Sequence, residues 1–163
     1  MVLIASFEEA VRRRALRGTN MISVSEGAKR LVLLVLGLAG GRIITERMYG
    51  LAFLVNQEVY HWVVFEPEDH ETYSEELTKA IDKLEKEGKL IYDWNNDNSS
   101  LELEFYLTEK GKQEAEVLLE WLKAKDDDKL KRAMEIIQKH KDDPIPYLRA
   151  YIKKHYLEHA RKK

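Results

Sequence analysis

Apolar residues recur at helical spacing along most of this chain, and each run is bounded by residues that cap or break helices. Ser6 and Glu9 form a capping-box pair, and Phe7, Ala10, Val11 and Arg14 follow at helical spacing up to Gly18, predicting a first helix over 6–17. Ser23 and Glu26 repeat the box ahead of Leu31 to Leu36, Leu38 and Ala39, and Gly40-Gly41 closes the run. Residues 25–39 therefore read as a buried helix. After a short extended piece at Arg42 to Ile44, Thr45 can cap a helix with Met48, Leu51, Ala52, Leu54 and Val55 inward, running to about Gln57. His61 to Phe65 is rich in β-formers and reads as a strand or extended segment that Pro67 terminates.

The clearest amphipathic pattern follows, with Leu77, Ala80, Ile81 and Leu84 on one face. Either Thr72 with Glu75 or Ser74 alone can cap it, and Gly88 ends it. The pattern predicts those four residues inside and Lys79, Lys83 and Lys86 outside. Leu90 to Trp94 and Leu101 to Leu107 then read as two strands joined by polar turn residues Asn95 to Ser100. Leu101, Leu103, Phe105 and Leu107 alternate with Glu102, Glu104 and Tyr106, so one face should be dry and the other wet. Thr108 caps a helix to about Lys125 with Ala115, Leu118, Leu119 and Leu122 inward. The triplet Asp126-Asp127-Asp128 breaks it and begins another, striped by Leu130, Met134 and Ile137, and Pro144 and Pro146 precede a last helix over Tyr147 to Ala160.

The order helix, helix, helix, hairpin, helix defines the expected fold class: mainly α with a small β-hairpin, a winged helix-turn-helix with extra N- and C-terminal helices. The boundaries fall at 1–20 for an N-terminal helical extension, 21–125 for the winged-helix domain and 126–163 for a C-terminal helical extension. Arg47-Met48-Tyr49-Gly50-Leu51-Ala52-Phe53-Leu54-Val55 resembles the Arg-Leu-x-x-Leu-x-Phe-Leu-Leu helix of YwgA-like winged-helix proteins. Tyr73-Ser74-Glu75-Glu76-Leu77, with Leu84, Gly88, Leu90-Ile91 and Tyr106-Leu107-Thr108-Glu109-Lys110-Gly111 downstream, is similar to a second pattern of that group. The Panacea antitoxin domain shares a looser version. The resemblance covers about residues 26–122 and implies a winged-helix fold. The chain departs from the pattern at Glu71-Thr72, where the family has Gly-Pro, and at Gly50, where it has Lys.

Composition narrows the chemistry. The 163 residues contain no cysteine, which excludes a disulfide framework, a thiolate zinc site and a cysteine nucleophile. No glycine-rich phosphate loop, nucleophile elbow or triad order is present, so the expectation is a protein that is not an enzyme and needs no cofactor. The run from Leu31 to Ala39 is too short to cross a bilayer. Lys29 and Arg30 before that run could mark a signal peptide starting at Met21, but Glu26 and the continuing helical pattern favour a buried helix in a cytoplasmic protein.

The net charge of -2 conceals an uneven distribution. Residues 1–65 carry 8 Lys and Arg against 5 Asp and Glu, residues 66–128 carry 8 against 20, and residues 129–163 carry 11 against 4. A duplex requires cations facing phosphate. Candidate contacts are Arg12, Arg13, Arg14, Arg17 and Arg42, then Lys79, Lys83 and Lys86 on the third helix of the fold, and Arg161, Lys162 and Lys163 at the C-terminal end. The third helix also carries Glu75, Glu76, Asp82, Glu85 and Glu87, and the hairpin carries Asp97, Glu102 and Glu104, the wrong sign for phosphate. Double-stranded DNA would therefore be met by the basic ends more than by the wing. The expected function is a nucleic-acid-binding protein, a transcriptional regulator. The alternative is a protein-interaction module, antitoxin-like or adaptor, that uses the fold without DNA.

Three further features complete the expectations. His155 and His159 have a spacing that can hold a metal, yet Glu158 is the sole carboxylate close by, and His61 and His70 flank the acidic stretch Glu66 to Glu71, a solvated connection by default; no metal is expected. Tyr60, Trp62, Tyr73, Trp94 and Trp121 could offer a stacking or partner-binding surface, with core packing as the default. The stripe Leu130, Met134 and Ile137, with Leu148, Ile152 and Tyr156, must be covered by a second subunit, giving a homodimer, or by the chain's own core.

Overall fold

The structure is a computed structural model, and it describes residues 26–68, 71–95 and 102–157. The expected helix over 6–17, the hairpin tip and the residues from Glu158 onward lie outside the described residues. Six α-helices and two small antiparallel sheets make up the rest: α1 (Glu26–Leu38), β1 (Arg42–Ile44), α2 (Thr45–Val55), β2 (Glu66–Glu68), β3 (Glu71–Tyr73), α3 (Glu75–Lys86), β4 (Leu90–Asn95), β5 (Glu102–Leu107), α4 (Glu109–Lys125), α5 (Asp127–His140) and α6 (Ile145–Ile152). A π-helical turn follows α2 at Asn56–Tyr60, and another follows α6 at Lys153–Leu157.

Helix α1 is the centre of the core. Its residues Leu31 to Leu36 are all buried because α2, α3, α4 and α5 pack around it. An unbroken apolar run, rather than a stripe, is what a helix surrounded on every side requires. Gly40 and Gly41, both with φ near +90°, turn the chain out of α1 into β1. Strand β1 pairs with β5, which pairs in turn with β4, so β5 is the middle of a three-stranded antiparallel sheet.

Helix α3 is capped, closed and buried on the face that its sequence predicts. Ser74 is the cap, accepting from the Leu77 amide at 3.2 Å, and Leu77, Ala80, Ile81 and Leu84 are buried. Gly88 at φ 75° closes it, with the Lys89 amide donating back to the Leu84 carbonyl at 2.9 Å. Thr108 caps α4 by accepting from the Gly111 amide at 3.1 Å. A Cβ on Gly111 would overlap the Lys89 carbonyl oxygen, so the glycine lets α4 close onto the start of β4.

Several expectations are corrected. Thr45 does not cap α2: it is the first helical residue, after Ile44 at the cap position, and its hydroxyl donates to the Leu103 carbonyl at 2.9 Å, tying the helix to β5. His61 to Phe65 is not a strand. The buried Asn56 side chain accepts from the Trp62 and Val63 amides at 2.7 and 2.9 Å and donates to the Val63 carbonyl at 2.7 Å, holding this segment in an irregular path. Pro67 does not end a strand but lies within β2, opposite Thr72, in a two-stranded ribbon where both strands are edges. Met134 is exposed at 42%, and the inward stripe of α5 is Leu130, Ala133, Ile137 and His140. The last helix starts at Ile145, before Pro146, and stays α-helical only to Ile152.

The C-terminal helices cover their apolar faces on their own chain. Helices α5 and α6 both pack on α2, and Leu148 and Ile152 join Phe53 and Leu54 in a small second core. Polar contacts fasten this layer: Arg47 donates to the carbonyls of His140 (3.3 Å) and Asp143 (2.5 Å), Arg132 to the Glu58 carbonyl, and Tyr156 to Glu58 Oε2 at 2.7 Å. Burial and the Glu58 carboxylate together raise the Tyr156 pKa. The stripe that suggested a second subunit is thus filled in cis. Gly50 has a structural account here, since a Cβ would lie 2.8 Å from Leu148 Cδ2, so α6 seats closely on α2 at the position where the resembling family carries Lys.

Candidate functional site

Of the candidate nucleic-acid contacts, Arg42, Lys79, Lys83 and Lys86 lie within the described residues, whereas Arg12, Arg13, Arg14, Arg17, Arg161, Lys162 and Lys163 lie outside them. The described ones do not converge on a free cationic surface. On α3, Lys79 pairs with Glu75 at 2.9 Å and Lys86 with Asp82 at 3.1 Å, both one helical turn apart. Lys86 is exposed, while Lys79 and Lys83 are half-buried rather than exposed as expected. Exposed pairs of this kind hold only about 0.3 to 0.5 kcal/mol each, so they do not lock the lysines. What decides the sign of the helix is that its four acids, Glu75, Glu76, Asp82 and Glu85, outnumber its three lysines.

Arg42 on β1 reaches across to β5. Its Nε lies 3.0 Å from Glu104 Oε2 and its Nη2 3.3 Å from Oε1. The Tyr106 hydroxyl donates to the same Oε1 at 2.8 Å, which raises the tyrosine pKa. Glu104, expected on the wet face, is 5% exposed. It occupies the middle strand, where Arg42 and Tyr106 can close over it from one side of the sheet. The cation assigned to phosphate is therefore occupied by a carboxylate assigned to repel it.

A second charged cluster lies where α1, the end of α3, the start of β4 and α4 meet. Lys29 and Lys89 are both nearly buried. Lys29 Nζ lies 3.8 Å from Glu26 Oε1 and 3.4 Å from Glu87 Oε2, and Lys89 Nζ lies 3.1 Å from Glu87 Oε1 and 2.7 Å from Glu114 Oε2. Burial alone would raise the Glu87 pKa, but Lys89 and Lys29 outweigh it and hold the carboxyl below its ordinary value. Burial would lower Lys89, yet Glu114 and Glu87 more than offset it and raise the ammonium. The sequence marked Lys29 only as a flank of the apolar run. Its burial depends on Glu87 arriving from 58 residues away.

Beside this cluster runs an open groove of about 260 Å³ between α1 and α4, lined by Glu26, Lys29, Arg30, Leu33, Glu114, Val117, Leu118 and Trp121. Leu33 and Leu118 form its apolar floor. Val117 and Trp121, one turn apart on α4, stand at its rim 66% and 42% exposed. The Arg30 guanidinium lies 4.9 Å from the Trp121 ring centroid and the Lys125 ammonium 4.6 Å, so two cations contact the indole. Trp121 belonged to the aromatic residues assigned to the core by default. Its position off the Ala115, Leu118 and Leu122 stripe was the available signal that it faces outward.

Of the other aromatic and histidine candidates, His70, His159 and the side chains of Tyr73 and Trp94 lie outside what the structure describes. Tyr60 and Trp62 stack at 4.2 Å against the core. His155 stacks on Tyr151 at 4.3 Å, and no group of three or more His, Asp or Glu residues suited to a metal occurs among the described residues. No helix among them is long and apolar enough to cross a membrane. No family model, curated protein or solved structure matches the chain.

Proposed function

We propose that this chain is a winged-helix domain that works as a protein-interaction module. The winged-helix reading is supported by the order α1, β1, α2, α3, β4, β5, with the β2–β3 ribbon inserted between α2 and α3, and by a sheet ordered β1, β5, β4, in which the strand after α1 pairs with the last strand of the hairpin. The family resemblance of residues 26–122 points the same way. One observation carries the choice of partner: the bulky apolar side chains left at the surface beside a groove, Val117 and Trp121, lie on α4, whereas the helix that would enter a major groove offers lysines among carboxylates. Apolar residues at the rim of a groove suit a protein surface, and phosphate requires unspent cations.

The second reading, a transcriptional regulator binding duplex DNA, is favoured by the excess of cations beyond residue 128, 11 Lys and Arg against 4 Asp and Glu. In that case Arg12, Arg13, Arg14 and Arg17 with the C-terminal cations would carry the contact. The two readings separate by titration of random duplex at increasing salt, because phosphate contacts impose a steep loss of affinity. The protein-partner reading expects no salt-steep binding, even near ~50 mM salt. Binding that falls steeply with salt, and weakens when the four N-terminal arginines become alanine, would establish the regulator instead.

A further inference from the structure

The α1–α4 groove has a chemistry more specific than exposed apolar surface. Neighbouring cations are engaged by carboxylates: Lys29 on α1 by Glu26 and Glu87, and Lys89, just before β4, by Glu87 and Glu114. Arg30 and Lys125 differ. Among the described residues neither has a carboxylate within ion-pair distance, and both instead lie over the Trp121 ring. The groove thus presents two cations that no described carboxylate pairs with, beside an indole and above a floor of Leu33 and Leu118. Its own carboxylates at Glu26 and Glu114 pair with the buried lysines Lys29 and Lys89 rather than with Arg30 or Lys125.

We propose that this groove docks an acidic, amphipathic segment of a partner protein, whose carboxylates pair with Arg30 and Lys125 and whose apolar side chain packs between Val117 and Trp121. This rests on the protein-partner reading above and names the partner's chemistry. A helix laid in a groove supplies apolar anchors at every third or fourth position and acids between them, which is the complement of what Arg30, Val117, Trp121 and Lys125 present. The groove is too small and open to enclose a ligand of drug size but suits one or two side chains. A carboxylate arriving there converts two cation–π contacts into ion pairs without exposing a buried charge.

The experiment uses the full chain and two short synthetic helical peptides, one with leucine at helical spacing among glutamates and one with lysine at each glutamate. Binding is read from Trp121 fluorescence and from labelled-peptide anisotropy. The acidic peptide should bind and the basic one should not. The double variant Arg30→Gln, Lys125→Gln should weaken binding roughly tenfold, and Trp121→Ala about thirtyfold. Val117→Asn, at a site 66% exposed, provides a variant whose folding is safe and should also lose affinity. Equal binding of both peptides, no binding of either, or no effect of these variants overturns the proposal. So does a concentration-dependent dimer abolished by Trp121→Ala, which would assign the face to a second copy, and so does displacement of the acidic peptide by random duplex, which would assign the cations to phosphate. Salt-steep duplex binding that leaves the acidic peptide bound defeats the protein-partner reading alone.

Discussion

Helices α3 and α4 flank the same sheet and spend their charges in opposite ways. On α3 the lysines at 79 and 86 meet carboxylates one turn earlier, and the buried face is a clean stripe of Leu77, Ala80, Ile81 and Leu84. On α4 the stripe Ala115, Leu118 and Leu122 is equally buried, yet Val117 and Trp121 stand outside it, and the cations beside Trp121 have no ion-paired carboxylate among the described residues. The first pattern is self-sufficient. The second leaves an apolar rim and cations that no described carboxylate pairs with, which is the basis of the docking proposal.

The sharpest break of this comparison lies in the buried faces. Leu84→Ala, fully buried on α3, should cost about 2 to 5 kcal/mol in urea unfolding, while Trp121→Ala should cost no more than about 1 kcal/mol. Equal costs would mean that Trp121 is a core residue and that the two helices do not differ. Next comes the cluster joining the two helices. Lys89→Met should destabilise by about 3 kcal/mol, because Glu87 and Glu114 are left sharing a site with too little positive charge.

The same cluster gives a pH dependence with a definite sign. Glu87 is lowered from 4.5, so its contribution is present above that value and is lost as pH falls through the folded pKa. Lys89 is raised from 10.5, so its contribution is present below that value and is lost as pH rises through the folded pKa. Stability should hold level between these limits and decline outside both, and Lys89→Met should lessen the alkaline decline, the remainder coming from Tyr106 and Tyr156, whose pKa values are also raised. Thermal melts across the range check this. A smaller effect tests the cap that starts α3: Ser74→Ala should cost about 1 kcal/mol. Smallest of all, Lys79→Ala should change stability by no more than about 0.5 kcal/mol, since its partner Glu75 is exposed. A large loss there would show that the α3 pairs are structural and not merely charge-balancing.

Much of the local structure was legible in the residues. The run from Leu31 to Leu36, the Ser74 and Thr108 caps, Gly88 and the stripe of α3 all fall where sequence places them, because capping and helical periodicity act within a few residues. The expectation failed where distant groups intervene. Thr45 looked like a cap, but the Leu103 carbonyl offered its hydroxyl a partner; Glu104 looked wet, but Arg42 and Tyr106 closed over it. The Pro67 ribbon and the Asn56-held loop are likewise products of pairing across the chain.

The sequence by itself determined the inward faces of α1, α3 and α4, the paired strands β4 and β5 and the uneven charge, since each follows from side-chain periodicity and composition. Tertiary structure alone decided that α5 and α6 fold back across Gly50 and Arg47 and fill their own stripe, and that Lys29 is buried with Glu87. It alone left Arg30 and Lys125 facing an exposed indole. Which cations remain unspent depends on distances between residues far apart in the chain, and Coulomb energy falls with those distances in a way that spacing along one helix cannot encode.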